Sequence, residues 1–545
     1  MDKHFNLTTG QYIEKLAKEF PNKTALKYIE QNHECTFREL DEKTDIIAKG
    51  LLGMGLRKGD HIGIWDVATF EWIITYISAT KVGIIPVSIN TSFRYNELKY
   101  LLEQSDCRAL FFSNGFKDVD YLKIINELCP ELAHSKPGYL CAEEVKALRI
   151  VTAFKEKSEG MYHFSEVEHF AGKITDEEFE EIKSTLLPDE VASIIYTSGT
   201  SGNPKGVMLT HNNILNNAYA VGACQGMTSD DISCYALPLF HSGGLSGAFF
   251  AALTHGATVI TYPYFSPTKV MEIIQNEKCT HFSGVPTIYL TVVNHPNFDK
   301  YDLSSLKKCL INGTILPTHL YEHISNKLPS TCLLNGYGLT ESSPGAAIST
   351  INDPYEKRRC TVGKVLPFVE IKIVDTETGL EVAAGEPGEL YIRGYNVMKG
   401  YYRMPEETQK VLDKDGWLRS GDSATIDADG YYTIIGRIKD IIIKGGENIV
   451  PKEIEDFICA LPTVSDSQVI SIPSDKYGEE VFAYVILDKG MVATEDEIMQ
   501  YLKQNIANYK VPSYIKFIDS FPMNANGKIQ KFKLREMAKE YVNSL

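Results

Sequence analysis

Tyr196-Thr-Ser-Gly-Thr-Ser-Gly-Asn-Pro-Lys-Gly-Val207 stands between two apolar runs, residues 191–196 and 207–209. The flanks are short and bounded by turn formers, so they predict buried strands with the polar stretch as the loop between them. Gly199, Gly202 and Gly206 let the backbone approach an anion closely, and Thr197, Ser198, Thr200 and Ser201 can donate hydrogen bonds to phosphate oxygens. Lys205 adds a point charge. A Walker A loop needs Gly-Lys-Ser/Thr opening a helix, whereas here Pro204 precedes the lysine and Gly206 follows it. The stretch predicts a phosphate loop of another kind, carried on an α/β sheet.

The residues before it support that sheet. Ile13, Leu16 and Phe20 fall at helical spacing, as do Ile46, Leu51 and their neighbours, and short apolar runs at 62–65, 83–87 and 109–112 read as buried strands between the helices. The charged stretch 143–189 lacks clear periodicity and predicts loop and surface helix. Beyond Gly363 the pattern changes to strands with tight turns at 369–374, 389–392 and 431–435, a small β subdomain. After Arg437 a compact α+β unit follows: Pro451 opens a helix with Ile454, Ile458 and Leu461 on one face, residues 482–487 form a strand, and Thr494 with Glu497 makes a capping box for a helix carrying Ile498, Leu502 and Ile506. The expected architecture is α/β: a large N-terminal domain, 1–438, of α/β subdomains plus the β subdomain, joined to a small α+β C-terminal domain, 439–545.

Bulk properties narrow the function classes. A chain of 545 residues is too long for one hydrophobic core. The formal net charge of −16, with both signs interleaved, argues against a nucleic acid or an anionic membrane as main partner, while a local basic pocket for an anionic substrate remains compatible with it. The 11 cysteines show no C-x-x-C spacing and read as reduced, mostly buried thiols. No run is apolar and long enough for a membrane span, and residues 1–20 carry no apolar signal core, so the expected compartment is the cytoplasm. A homodimer is compatible with the sequence.

Further along, Tyr337 lies between Gly336 and Gly338 and can offer a bare aromatic face to a purine. Thr340 and Glu341 follow at once, and a hard oxygen ligand beside phosphates suits Mg²⁺. Asp422, after Ser420-Gly421, can accept both hydroxyls of a ribose, and Arg437 can pair with ribose or phosphate.

Together these segments resemble the adenylate-forming superfamily of acyl-CoA synthetases, carrier-protein adenylation domains and luciferases. The resemblance rests on six motifs in order: 197–206, Leu237-Pro-Leu-Phe-His241, Asn335-Gly-Tyr-Gly-Leu-Thr-Glu341, Trp417-Leu-Arg-Ser-Gly-Asp422, 436–448 and Asn526-Gly-Lys528. It implies an ATP-dependent enzyme that converts a carboxylic acid to an acyl adenylate and passes the acyl group to coenzyme A. It further implies that Thr197, Ser198, Gly199, Thr200, Ser201, Gly202 and Lys205 hold the phosphates, and that Gly313, Thr314, Tyr337, Gly338, Thr340, Asp422 and Arg437 hold the rest of the nucleotide. On the same resemblance, His241 is expected to border the acyl carboxylate and Glu341 with Thr200 to bind Mg²⁺, while Lys528 is expected to be the mobile catalytic lysine, Lys439 the hinge, and Gly445 and Gly446 to serve the thiol step. The phrases Gly394-Tyr-Asn-Val-Met-Lys-Gly-Tyr-Tyr402 and Asn508-Tyr-Lys-Val-Pro512 are most similar to medium-chain fatty-acyl-CoA synthetases, and Gly243, Gly244, Gly247 and Ala248 leave room for a chain, with Phe249 and Phe250 nearby. One departure stands out: Asn312-Gly-Thr-Ile315 replaces the usual small residues, so an amide there shortens the pocket or meets a polar group on the acid. A carrier-protein acceptor, a luciferase-like oxidoreductase and a non-catalytic nucleotide-binding protein are the alternatives to be separated by assay.

Overall fold

The computed structural model describes residues 3–197, 204–235, 237–313, 316–328, 331–444, 447–474, 476–523 and 529–543. Helix Phe37–Gly53 shows how the N-terminal elements form. Thr36 caps it and Glu39 answers with the reciprocal bond, so two of its first N–H groups find partners. Leu40, Thr44, Ile47, Ala48 and Leu51 make the buried stripe, and each fully buried Leu or Ile contributes about 1.5–3 kcal/mol. Ile46, expected on that inner face, is 42% exposed, because it lies one position off the stripe and points the other way. Helix Phe70–Lys81 is buried almost all round, and its Lys81 is neutralised by Asp41 and Asp45, each 2.5 Å away.

Among the described residues these helices pack on two large sheets. One, of eight strands, runs in the order Gly400–Tyr401, Lys205–Thr210, Val191–Thr197, Ile85–Ser88, His61–Trp65, Cys107–Phe112, Ile150–Ala153, Tyr162–His163. It is parallel from Val191–Thr197 outward to Tyr162–His163 and antiparallel at the other edge. The other, of nine strands, has a parallel centre that includes Ile232–Tyr235, His281–Gly284, Lys308–Ile311 and Cys332–Tyr337. The stretch 143–189 is more structured than its charge pattern predicts. Ile150–Ala153 is a fully buried strand, four residues being too few to declare a period, and the 3₁₀ segment Phe164–Lys173 lies so close to helix Phe37–Gly53 that a Cβ on Gly50 would stand 2.4 Å from the Val167 carbonyl oxygen.

Strands Val369–Val374, Gly388–Gly394, Leu418–Ile426 and Tyr432–Arg437 form an antiparallel sheet, the expected β subdomain. Beyond it, Ile442–Lys444, Glu447–Ile449, Val464–Ser474, Gly478–Leu487 and Tyr514–Phe517 make a sheet of their own, covered by Pro451–Cys459, Glu495–Asn505 and Lys531–Asn543. The Thr494–Glu497 capping box is present, and Ile498 and Leu502 are fully buried. Leu461 lies just past the helix that ends at Cys459 and packs on the same core from there. Among the described residues, the buried hydrophobic clusters of the N-terminal part reach no further than Ile434, and those of the C-terminal part begin at Ile442. The molecule is thus a large α/β N-terminal domain with a β subdomain, followed by a small α+β domain. No described helix is long and apolar enough to cross a membrane.

Candidate active site

The glycine-rich loop closes an antiparallel hairpin. Val191–Thr197 pairs with Lys205–Thr210 in the register Thr197↔Lys205, Tyr196↔Gly206, Ile195↔Val207, while Ile194 continues the parallel sheet through Val87. A Cβ on Gly206 would come 2.9 Å from Ile194 and 3.1 Å from the Tyr196 ring, so this position is tight for any larger residue. Ser198, Gly199, Thr200, Ser201 and Gly202 lie outside the described residues, as do Thr314, Gly445, Gly446 and Lys528. The two ends of the loop are fixed: the Thr197 hydroxyl faces the Lys205 carbonyl oxygen at 3.5 Å, and Tyr100 donates to the Pro204 carbonyl at 3.0 Å.

Segment 395–402 stitches this hairpin to the Glu341 turn. The Tyr402 amide donates to the Gly206 carbonyl (2.8 Å), the Lys399 amide to Met208 (3.0 Å) and the Met398 amide to Glu341 (2.9 Å). Asn396, fully buried, donates to the Gly345 carbonyl at 2.9 Å, and its own carbonyl accepts from Ser343 at 2.7 Å. Tyr401 joins the two ends. Its hydroxyl donates to Glu341 Oε1 at 2.8 Å, and its ring centroid lies 5.1 Å from Lys205 Nζ. Burial, then the Glu341 charge, push the Tyr401 phenol above its usual range, so it is a hydrogen-bond donor at any working pH. Lys205 itself pairs with Glu407 of helix Pro405–Val411.

Tyr337 ends strand Cys332–Tyr337, and its hydroxyl donates to Asp422 Oδ2 at 2.7 Å. Asp422 is opposite Arg437 in the β subdomain, with Oδ1 3.3 Å from the guanidinium Nε, and is 8% exposed. Burial and the adjacent carboxylate raise the Tyr337 phenol well above its ordinary value. Gly338 has no room for a side chain, since a Cβ would stand 1.6 Å from the Pro344 carbonyl oxygen. Thr340 opens the turn that carries Glu341, and its hydroxyl accepts from Ser242 at 3.2 Å. That contact ties the Thr340–Glu341 turn to the segment of His241, which precedes the short helix Ser242–Gly244.

Gly243 and Gly247 then face Asn312: Cβ atoms on them would each lie 4.0 Å from one end of its carboxamide. Gly313 has a φ of +89°, a conformation that suits glycine. Phe249 and Phe250 are packed edge to face at 5.1 Å inside the main core. Lys439 lies in a short turn between the β subdomain and the C-terminal sheet, where burial and then the Arg437 charge lower its pKa. The structure therefore gathers Thr197, Lys205, Glu341, Thr340, Ser242 and His241 along one side, with Tyr337, Asp422 and Arg437 beside them. Tyr401 and Glu407 were missed by sequence reasoning, although the aromatic pair 401–402 directly after Gly400 is a signal in the chain itself.

Two family models match in tandem: "AMP-binding enzyme" over residues 13–402 and "AMP-binding enzyme C-terminal domain" over 453–528. The chain belongs to the AMP-binding enzyme family. Among other AMP-binding enzymes it is similar to YngI of Bacillus subtilis (strain 168), 41% identical over 98% of both chains. It is also similar to the mitochondrial medium-chain acyl-CoA ligase ACSF2 of Rattus norvegicus, 37% identical over 99% of this chain and 89% of that one. In structure it is similar to the anthranilate CoA ligase AuaEII in complex with anthranoyl-AMP, with 26% identity, a TM-score of 0.84 and 99% coverage of both chains.

Proposed function

We propose that this AMP-binding enzyme is an acyl-CoA synthetase that activates a medium-chain fatty acid with ATP. The observation that carries the reading is the convergence on Tyr401, whose ring and hydroxyl bring the loop lysine Lys205 and the carboxylate Glu341 to one place. A cation and a hard oxygen ligand side by side suit a triphosphate and its metal. Glu341, with Thr200, is the candidate holder of Mg²⁺, which would neutralise phosphate charge when bound. The preference for a medium chain draws on the relatives named medium-chain acyl-CoA ligases.

In the first half-reaction a carboxylate oxygen of the acid attacks the α-phosphorus, the bond from that phosphorus to the bridging oxygen breaks, and pyrophosphate leaves with both electrons. Lys205 and the donors Thr197, Ser198, Thr200 and Ser201 stabilise the departing phosphates. Tyr337 supplies the face for adenine, and Asp422, oriented by Tyr337 and Arg437, accepts from the ribose hydroxyls. His241 borders the reacting carboxylate, and Lys528 bridges it to the α-phosphate. In the second half-reaction the thiolate of CoA attacks the acyl carbonyl and AMP leaves. We assign Lys439 to the hinge between domains 1–438 and 439–545, a division supported by the break between hydrophobic clusters at Ile434 and Ile442. Gly445 and Gly446 would then replace Lys528 beside the adenylate. The acidic chain and its unpaired cysteines support work in the cytoplasm on small molecules and not on nucleic acid.

The test is ATP–pyrophosphate exchange across free acids from short to long chain plus aryl acids, followed by CoA-dependent AMP release. A medium-chain optimum with CoA-dependent turnover is expected. Exchange that never becomes CoA-dependent would move the acceptor to a carrier protein, and no exchange with any acid would overturn the catalytic reading.

A further inference from the structure

Lys205 does not stand free beside its loop. Its ammonium pairs with one oxygen of Glu407, while the other oxygen of that carboxylate pairs with Lys410. The lysine and glutamate side chains are only 18% and 30% exposed. Their approach is built into the backbone. Val207, two residues after the lysine, is in register with Tyr401 across the sheet edge, and the Tyr401 amide donates to Thr408 Oγ1 at 2.9 Å, which holds helix Pro405–Val411 against that edge. Glu407 precedes Thr408 on this helix and is thereby delivered to the lysine.

A carboxylate and a phosphate oxygen ask the same thing of an ammonium group, and Lys205 has a limited arc within which to serve either. Glu407 stays ionised throughout any assay range, since Lys205 and then Lys410 hold its carboxyl down to about 2. Lys410 draws on the same carboxylate and is itself 66% exposed, so its effect on Lys205 is to weaken the glutamate's hold.

We propose that Glu407 is a positioning residue that competes with the phosphates of ATP for Lys205, and that Lys410 moderates the competition. This rests on Lys205 being a phosphate contact. ATP entry then exchanges one anion for another at the ammonium, and the departure of pyrophosphate is assisted by the glutamate returning to it. In the glutamate-paired arrangement the Tyr401 ring centroid lies 5.1 Å from the ammonium.

The experiment is calorimetric titration of the full-length enzyme with ATP and Mg²⁺ in the absence of acid, alongside steady-state kinetics. Glu407→Gln, close to isosteric, is expected to tighten ATP binding about two- to fivefold, the scale of a part-exposed ion pair, and to lower KM for ATP more than it changes kcat. Lys410→Met is expected to shift affinity the opposite way, and both differences should shrink at high salt. Lys205→Met tests the underlying reading separately and is expected to weaken ATP binding. If Lys205→Met weakens binding while Glu407→Gln leaves it unchanged or weaker, the competition is refuted and the phosphate contact stands. If Lys205→Met leaves affinity unchanged, the phosphate contact itself fails and the competition with it. Matched thermal melts of Glu407→Gln and Glu407→Ala separate a folding defect from either result.

Discussion

Replacing Asp422 with asparagine removes a charge while keeping shape, at the point where the β subdomain meets strand Cys332–Tyr337. The carboxylate is 8% exposed, accepts from Tyr337 Oη at 2.7 Å and faces Arg437 Nε at 3.3 Å. Both oxygens are therefore already oriented by donors, and on the proposed reading the same carboxylate accepts from the ribose hydroxyls. Asparagine has one acceptor oxygen where aspartate has two, and its NH₂ group must face a donor on one side or the other. The expected loss is one charge-assisted hydrogen bond to ATP, about 1.5–3 kcal/mol, or roughly tenfold to a hundredfold in Kd. Calorimetry with ATP and Mg²⁺ should show it directly. In pyrophosphate exchange KM for ATP should rise while kcat stays within a few-fold, because the ribose is held equally before and during adenylyl transfer. A second comparison localises the effect: wild-type enzyme should discriminate against 2′-deoxy-ATP, and Asp422→Asn should discriminate less. An ATP affinity within twofold of wild type, or an undiminished preference for the 2′-hydroxyl, would refute the assignment.

Other outcomes follow from single residues. Gly338→Ala should abolish exchange and destabilise the Glu341 turn, because its Cβ would stand 1.6 Å from the Pro344 carbonyl oxygen; full activity with an unchanged melting temperature would contradict that packing. Lys528→Ala should abolish adenylate formation yet spare thiol transfer from preformed acyl-AMP, and equal loss of both half-reactions would show that the lysine is not specific to the first. Asn312→Ala should move the acid optimum toward longer chains by clearing the space opposite Gly243 and Gly247; an unchanged chain-length profile would mean the amide does not limit the pocket. Burial holds the His211 pKa down to about 4, whereas in the unfolded chain the histidine takes up its proton near pH 6.5. The unfolded state therefore binds more protons between those values, and stability falls as pH drops, by about 3 kcal/mol once pH is below 4. Asp66, raised by burial to about 7, acts in the opposite sense, so the measurement is a difference: His211→Gln should gain on wild type in melting temperature from pH 7 to pH 5, and parallel curves would sink the argument.

The sequence was most legible where function restricts residue type and where periodicity is long. The strand–loop–strand hairpin at 191–210, the β subdomain and the capped helix at Thr494 could be read because glycine placement, tight turns and a reciprocal cap each have a local physical cause. Ile150–Ala153 was hidden because four buried residues inside a charged stretch carry no period, and Ile46 was misassigned because one step along a helix turns a side chain by about 100°. The roles of Tyr401 and Glu407 depend on a sheet edge that joins residues nearly two hundred positions apart, and no local pattern encodes that pairing.

The hairpin pairing of the strands on either side of the glycine-rich loop has a further consequence for how this scaffold can change. A loop that opens a helix must keep its length and direction, because the helix end is part of the site. Here the loop only closes two strands whose register, Thr197 against Lys205, is held by the ladder behind it. Doubling such a connection costs only about 0.6 kcal/mol of closure entropy. Loop composition can thus drift, or be redesigned, with the sheet left intact, so turnover and foldability are separable traits in this chain.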